Sequence, residues 1–551
     1  MNKSVPSPSE VQATFAATLV DEWVRDGLRD VVICPGSRST PLAVAFAERD
    51  ELRVHVRIDE RSAGFFAIGR ALVTKSPVAV LVTSGTAAAE LHACVAEADQ
   101  AEVALIVITA DRPPELHGVG APQTMNQRHL YGDMVRCFEE PGVARANVAS
   151  TWRALASRLF ESARGGEDRA GPAHLNAAFV EPLLADAGEL PRGRDDGAPW
   201  QRSSRVTSSS DWSAPGPRIL AIVGRGTPPT WAREARAHHW VVVGDATTPD
   251  TLAYADALLR SEQFAQSVRP DVVVRVGGLP SSKFLLERWR GWKTRAVGFR
   301  GAGFLADPER LIEVRLEGLP AMAASCRGDQ TYAATWERAS ATVANLLERA
   351  EESFNEIEVA RTTVELANES ATPLVIGSSM PVRDVEWWAP PRRVETFSNR
   401  GVSGIDGVVS TALGVASGAR ALALVGDVTM LHDVSALVDG IGSHGGTLVM
   451  VVVNNQGGGI FSFLSQSSME HGRFEMLFGT PRALDLERVA TSFGHHGASV
   501  KNASELRFAI ERGLAAPGLT IVVANVPGRS ENVETHQRWN ELVIAALEEE
   551  S

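Results

Sequence analysis

Short runs of apolar and β-branched residues recur along this chain, each followed by a helix-like stretch, in three sets of four. The first set is VVIC (31–34), RVHVRI (53–58), VAVLVT (78–83) and EVALIVIT (102–109). The second is ILAIVG (219–224), WVVVGD (240–245), DVVVRVG (271–277) and RAVGF (295–299). The third is TPLVIGSS (372–379), ALALVGD (421–427), TLVMVVVNN (447–455) and LTIVVANV (519–526). Runs this short and this uniformly apolar are buried on both faces, and with helices between them they build parallel sheets covered on both sides. The pattern predicts an α/β protein of three doubly wound parallel-sheet domains. A chain of 551 residues is too long for one hydrophobic core, which agrees.

Composition sets the boundaries. Residues 186–216 are rich in Gly, Pro, Ser and charge and read as a linker. Residues 329–370 carry Trp336, Val343, Leu346 and Leu347 at helical spacing and read as a polar helical connection. This leaves domains at 1–185, 217–328 and 371–551, of which the first and third could be distant structural relatives. The opening MNKSVPSPSE lacks the apolar core of a signal peptide and reads as a short disordered arm, and no run is long enough to span a membrane. A formal net charge of −13 argues against a broad nucleic-acid surface. An anionic ligand would therefore need a local cluster of arginines. The four cysteines, Cys34, Cys94, Cys137 and Cys326, are scattered without paired metal spacing, which points to free thiols in a reducing cytoplasm.

Ligands of open α/β sheets bind beyond the carboxyl ends of the strands. In the third domain one run ends at Asp427 and the next at Asn454 and Asn455, followed by QGGG. A carboxylate, a carboxamide oxygen and a free backbone carbonyl are hard ligands suited to Mg²⁺. Either half alone also reads as a turn or a strand cap. In the first domain the strand-end loops are CPGSRSTP (34–41), TSGTAAAE (83–90) and TADRPPE (109–115). The third domain adds GSSMPVRD (377–384) and SNRGVSGIDG (398–407). Together they place Arg38, Arg112, Arg383 and Arg400 at strand ends of an acidic protein, where guanidinium groups would pair with a polyanionic substrate. RIDERSAGFFAIG (57–69) sets Asp59, Glu60 and Arg61 against a segment built for burial. Glu60 is either a solvated helix-start acid, favoured there by the helix dipole, or a desolvated functional carboxyl.

The Asp427…Asn455 pair resembles the thiamine-diphosphate motif, and that resemblance implies a cofactor held through Mg²⁺ or Mn²⁺ by Asp427, Asn455 and the carbonyl of Gly457. It gives Glu60 a catalytic role beside ring nitrogen N1′, and there Glu60 should be the buried member of its charge triplet. PGSRSTPL, DERSAGF, VTSGTAAAEL, TADRPPEL, SNRGVSGIDG and VVNNQGGGIFSFL, in this order over nearly the whole chain, resemble the MenD family, the 2-succinyl-5-enolpyruvyl-6-hydroxy-3-cyclohexene-1-carboxylate synthases of menaquinone biosynthesis. The resemblance implies a C–C bond-forming transferase that decarboxylates 2-oxoglutarate and adds the succinyl unit to isochorismate. Cofactor contacts would come from Glu60, Ser84, Gly85, Ser379, Ile405, Gly426, Asp427, Asn455, Gly457 and Ile460. Substrate contacts would come from Ser37, Arg38, Arg112, Gln123, Ser379, Arg383, Arg400, Ile460, Phe461 and Leu464, with Lys283 a candidate from the central domain. The family implies a cytoplasmic homodimer or homotetramer with inter-subunit active sites, no nucleic-acid partner and no membrane span. Two departures from the family pattern are Val428, where many members have Gly, and Pro122, where some have Asn. Rival readings are an acetolactate-synthase-like ligase or 2-oxoacid decarboxylase, and a non-catalytic nucleotide binder using IVGRGTPP (222–229) as a phosphate loop.

Overall fold

The computed structural model describes residues 6–166, 169–203, 212–301, 304–322, 326–349 and 354–549. Among the described residues seventeen strands form three sheets, and every pairing between these strands is parallel. The first sheet holds β1 (Asp30–Ile33), β2 (Arg53–Val56), β3 (Val78–Val82), β4 (Leu105–Asp111), β5 (Phe138–Glu139) and β6 (Pro172–Ala178), ordered β2-β1-β3-β4-β6-β5. The second holds β7 (Ile219–Val223), β8 (Val241–Gly244), β9 (Val272–Val276), β10 (Arg295–Arg300) and β11 (Val314–Glu317), ordered β11-β10-β9-β7-β8. The third holds β12 (Leu374–Ile376), β13 (Thr396–Phe397), β14 (Arg420–Gly426), β15 (Thr447–Asn454), β16 (His496–Val500) and β17 (Gly518–Asn525), ordered β13-β12-β14-β15-β17-β16. Counted from its own first strand, the third sheet repeats the order of the first.

All twelve apolar runs contain a strand, and five strands lay outside them. β6 is PAHLNAA and β16 is HGASV. Proline, small residues and internal His and Asn hide such strands from a search for β-branched runs. β5, β11 and β13 are short edge strands. Part of the expected amino-terminal arm is helix, because Ser7 caps a helix that starts at Pro8, a favoured first-turn position for proline, and residues 1–5 of it lie outside the described residues. Residues 186–203 are no free tether either. Pro191 and Arg194 accept from Arg153 and Arg25 through their carbonyls, and Gly188 N–H donates to Thr14. Residues 204–211 of the expected linker and 350–353 of the helical connection lie outside the described residues. In that connection Trp336, Val343 and Leu347 are buried along the helix Gln330–Arg349. Among the described residues no helix is long and apolar enough to cross a membrane.

The chain divides into two compact units. One comprises residues 1–205, 399–419 and 432–446, and the other 206–398, 420–431 and 447–551. In the first unit the helix Glu60–Thr74 crosses the helix Val408–Ala416 at backbone contact. A Cβ on Gly69 would stand 2.1 Å from Thr411 O, and one on Gly414 would stand 2.2 Å from Phe66 O. Thr411 Oγ1 donates to Phe65 O, and Arg70 Nη1 donates to Ser417 O at 2.7 Å. In the second unit the aromatic side chains Trp336, Trp388 and Trp539 share one core with Trp289 and Phe264 of the central domain.

His174, in β6, is fully buried between Tyr131 and Phe138, with Nε2 2.8 Å from Thr109 Oγ1. Burial lowers its pKa to about 3. The unfolded chain takes up this proton below about 6.5 and the folded chain only below about 3, so stability is lost as pH falls through that window. Replacing His174 by Phe should flatten the acid limb of the stability curve by up to about 1.4 kcal/mol per pH unit, measured by calorimetry between pH 6.5 and 4.

Candidate active site

In the first sheet the strand order reverses between β1 and β3, and that crevice is where an open α/β sheet binds ligands. Ser37 is exposed in the turn after β1, whereas Arg38 is 9% exposed. Arg38 Nη1 donates to Phe179 O at 3.0 Å, and Nη2 lies 3.3 Å from Glu181 Oε1. Ser84 and Gly85 follow β3, and Gly85 precedes the short helix Thr86–Glu90. Arg112, after β4, donates to Ser84 Oγ and reaches Gln123 Oε1 at 3.5 Å. Burial and the charge of Arg38 both lower the pKa of Arg112, so two guanidinium groups share this strand-end surface. Gln123 and Pro122 are exposed, and Gln123 has a φ of +53°.

The Gly85 turn rests on a residue the sequence reading passed over. Gln127, fully buried, accepts the Gly85 N–H at 2.9 Å and donates to Asn176 Oδ1 and Ala110 O. Asn176 in turn donates to Asp111 and Glu140. A glutamine in the loop MNQRHL carries no pattern that marks it.

Glu60 is the first residue of the helix Glu60–Thr74, and Asp59 caps that helix by accepting from Ser62 N–H at 3.1 Å. Arg61 donates to His432 O at 2.9 Å. The expectation that Glu60 alone is buried does not hold, since all three members of the triplet are half-buried. A first-turn side chain projects at the helix end, level with the strand tips, while Ala63 and Phe66 take the buried face. The Cys34 thiol, at the end of β1, is pushed up by burial and then by the charges of Glu60 and Asp59, which places both carboxylates near that strand tip. All four cysteines are free, and Cys34, Cys94 and Cys326 are buried.

From Asn399 onward the SNRGVSGIDG loop belongs to the same unit. Arg400 and Ile405 are half-buried in it. Glu97, on the helix His92–Ala101 and 2% exposed, accepts the N–H groups of Gly401 at 2.6 Å and Val402 at 2.8 Å. Glu97 was also missed. The one signal was an acid three residues after Cys94 on a helix whose Cys94, Val95 and Ala98 are buried.

In the third sheet the order reverses between β12 and β14. Ser379 follows β12 with a φ of +74°, and its carbonyl accepts from Arg383 Nη1 at 2.6 Å. Gly426 ends β14 and Asp427 follows directly. The Asp427 carboxylate accepts from Val428 N–H at 2.7 Å and Gly457 N–H at 2.8 Å. The side chain at 428 therefore does not prevent this turn. Burial raises the Asp427 pKa to about 6. Asn455 donates Nδ2 to Glu356 Oε1 at 2.8 Å, while its Oδ1 is buried with no donor among the described residues. Gly457 has a φ of +133°, and a Cβ there would stand 2.0 Å from Gly479 O. A buried carboxylate wanting a counter-charge, an orphaned amide oxygen and a glycine backbone fit a hard divalent cation.

Beside this set lies a cavity of about 440 Å³ lined by Arg383, Ile460, Leu464, Lys283, Phe284 and Trp387, among others. It brings the central-domain candidate Lys283 together with three of the third-domain candidates. Phe461 is not among its walls; its ring packs against Phe478 at 5.3 Å. The loop 222–229 makes a poor phosphate cradle. Asp245 accepts the Arg225 N–H at 2.8 Å, and Gly278 closes on Arg225 O at 3.0 Å. A carboxylate thus takes the amide that a phosphate would need.

Models of two thiamine pyrophosphate enzyme domains match the chain, the N-terminal TPP binding domain over residues 13–130 and the C-terminal TPP binding domain over 377–524. Among curated relatives, a protein of Thermobifida fusca named 2-succinyl-5-enolpyruvyl-6-hydroxy-3-cyclohexene-1-carboxylate synthase is 39% identical over 97% of this chain and 99% of its own. Proteins of the same name from Myxococcus xanthus and Geobacillus kaustophilus are 36% and 35% identical, over 98% and 97% of this chain and 99% and 98% of theirs. Replacing Glu97 by Ala should lower stability by roughly 1–3 kcal/mol, because two backbone donors lose their acceptor, as urea unfolding would measure.

Proposed function

The chain belongs to the 2-succinyl-5-enolpyruvyl-6-hydroxy-3-cyclohexene-1-carboxylate synthase family, and from this we infer that it decarboxylates 2-oxoglutarate and adds the succinyl unit to isochorismate in menaquinone biosynthesis. It is a C–C bond-forming transferase dependent on thiamine diphosphate and Mg²⁺. Identity above a third along almost the full chain carries the reading. The buried Asp427–Asn455–Gly457 set supports it.

Thiamine diphosphate, when bound, supplies the nucleophile and the electron sink. Asp427, Asn455 and the Gly457 carbonyl would hold its metal, with Gly426 and Ser379, and Ser84 and Gly85, as further cofactor contacts. Glu60 would hold a proton beside ring nitrogen N1′, and Ile405 would be the bulky residue against which the cofactor rests. Both substrates carry two carboxylates. Arg38, Arg112, Arg383 and Arg400 pair with these, with Ser37, Gln123 and Lys283 as further polar contacts. Ile460 and Leu464 give an apolar wall, and Phe461 supports that wall through Phe478. We place the enzyme in the cytoplasm as a homodimer or homotetramer whose active sites draw on two chains. Family resemblance supports that assembly.

An assay with 2-oxoglutarate and isochorismate should release CO₂ and form the adduct; turnover of pyruvate in their place would reject the assignment. Glu60→Gln should leave the fold intact and slow C2 proton exchange of bound cofactor by roughly 100-fold or more, read by NMR. Exchange at the wild-type rate would remove Glu60 from its role. Arg400→Ala should lower kcat/KM for isochorismate by about 10- to 100-fold and leave cofactor affinity unchanged. Equal losses in both would count against a substrate contact.

A further inference from the structure

An asparagine that ligates a cation faces a problem its carboxylate neighbours do not. Its two amide ends are almost the same size, and only the oxygen can bind a metal. Turned over, Asn455 would present two N–H groups to the cation. Something must hold the nitrogen end on the far side. The two neighbours of that end are backbone at Gly459, where a Cβ would stand 2.6 Å from Nδ2, and the carboxyl of Glu356 at 2.8 Å. Glu356 stands 99 positions earlier in the chain, outside the strand-end motif. It opens the helix Glu356–Glu369, whose cap Asn355 accepts from Glu358 N–H at 3.0 Å, and it is 2% exposed. A side chain anchored at a capped helix start and enclosed on all sides has little freedom to turn away.

We propose that Glu356 is a positioning residue for the metal site: its carboxyl oxygen takes the Nδ2 hydrogen of Asn455 and thereby fixes Oδ1 toward the cation. The proposal rests on the reading of Asp427, Asn455 and Gly457 as metal ligands. It assigns no contact between Glu356 and the metal, the cofactor or the substrates. Partners in the second layer around a metal commonly carry a 10- to 100-fold share of its affinity. Glu356 should do so by orientation alone, so a glutamine, which keeps an acceptor oxygen at the same reach, should replace it.

The test is Mn²⁺ binding to full-length apo-protein in the presence of thiamine diphosphate, read from the electron paramagnetic resonance signal of free Mn²⁺. Wild type is compared with Glu356→Leu, Glu356→Gln and Asp427→Asn. Glu356→Leu should weaken Mn²⁺ binding by about 10- to 100-fold, and Glu356→Gln should stay within about threefold of wild type. Equal losses in the two Glu356 variants, or wild-type binding by Glu356→Leu beside weak binding by Asp427→Asn, would overturn the proposal and leave the metal site standing. Wild-type binding by Asp427→Asn would overturn the metal site itself and the proposal with it. Should Glu356→Leu not fold, a neutron crystal structure of the wild-type Mn²⁺ complex, in which the amide nitrogen and oxygen are told apart, decides. Nδ2 on Glu356 with Oδ1 on the metal supports the proposal, and a reversed amide overturns it.

Discussion

The first unit depends on how closely two helices meet. Gly69 and Gly414 let the helices Glu60–Thr74 and Val408–Ala416 touch backbone to backbone, and no side chain larger than hydrogen fits at either point. Contacts pair Phe65 with Gly407 and Arg70 with Ser417, so the two helices run the same way. Their amino-terminal ends therefore share one side. Glu60 opens one helix, and the loop with Arg400 and Ile405 leads into the other. A substitution at Gly69 or Gly414 would spread those ends before it altered any functional group.

The same architectural device appears in the first and third sheets. Each reverses its strand order between its own first and third strands. In the first sheet the reversal gathers Arg38, Ser84 and Gly85, with Arg112 one strand further on. In the third it gathers Ser379, Arg383, Gly426 and Asp427, with Asn455 one strand further on. Loops can converge there because neighbouring crossovers leave the crevice to opposite faces of the sheet. The second sheet has the same kind of reversal between β7 and β9, yet fills it with its own groups. Arg275, fully buried, donates to the carbonyls of Ile222, Gly277 and Gly278, and burial lowers its pKa to about 9.

Around Asn455 the second unit buries several ionisable groups. Burial raises Glu356 to about 8 and Asp384 well above the usual carboxylate range, and it lowers His536 to about 4. His536 accepts from Trp388 Nε1 at 3.0 Å, which leaves its Nε2 facing Asp384 at 3.0 Å. Such groups cost stability unless their partners are held in place, and the metal site proposed beside them would share that rigidity.

The sequence by itself determined the fold class. Apolar runs of strand length with helices between them have no other economical burial. Strand-end chemistry was legible for the same reason, because Asp427, Asn455 and the loop arginines follow directly from where each run stops. β6 was hidden because a strand buried by its neighbours needs no β-branched signature of its own, and β16 because it is a partly exposed edge strand. Only the tertiary structure showed that Glu60 sits half-buried at a helix end, that Phe461 turns to Phe478, and that Lys283 joins Arg383 at one cavity. It alone brought Glu97 and Gln127 to the loops they hold, and Glu356 to Asn455. Each of these acts on a residue dozens to hundreds of positions away, and no local pattern encodes a partner that only chain folding selects.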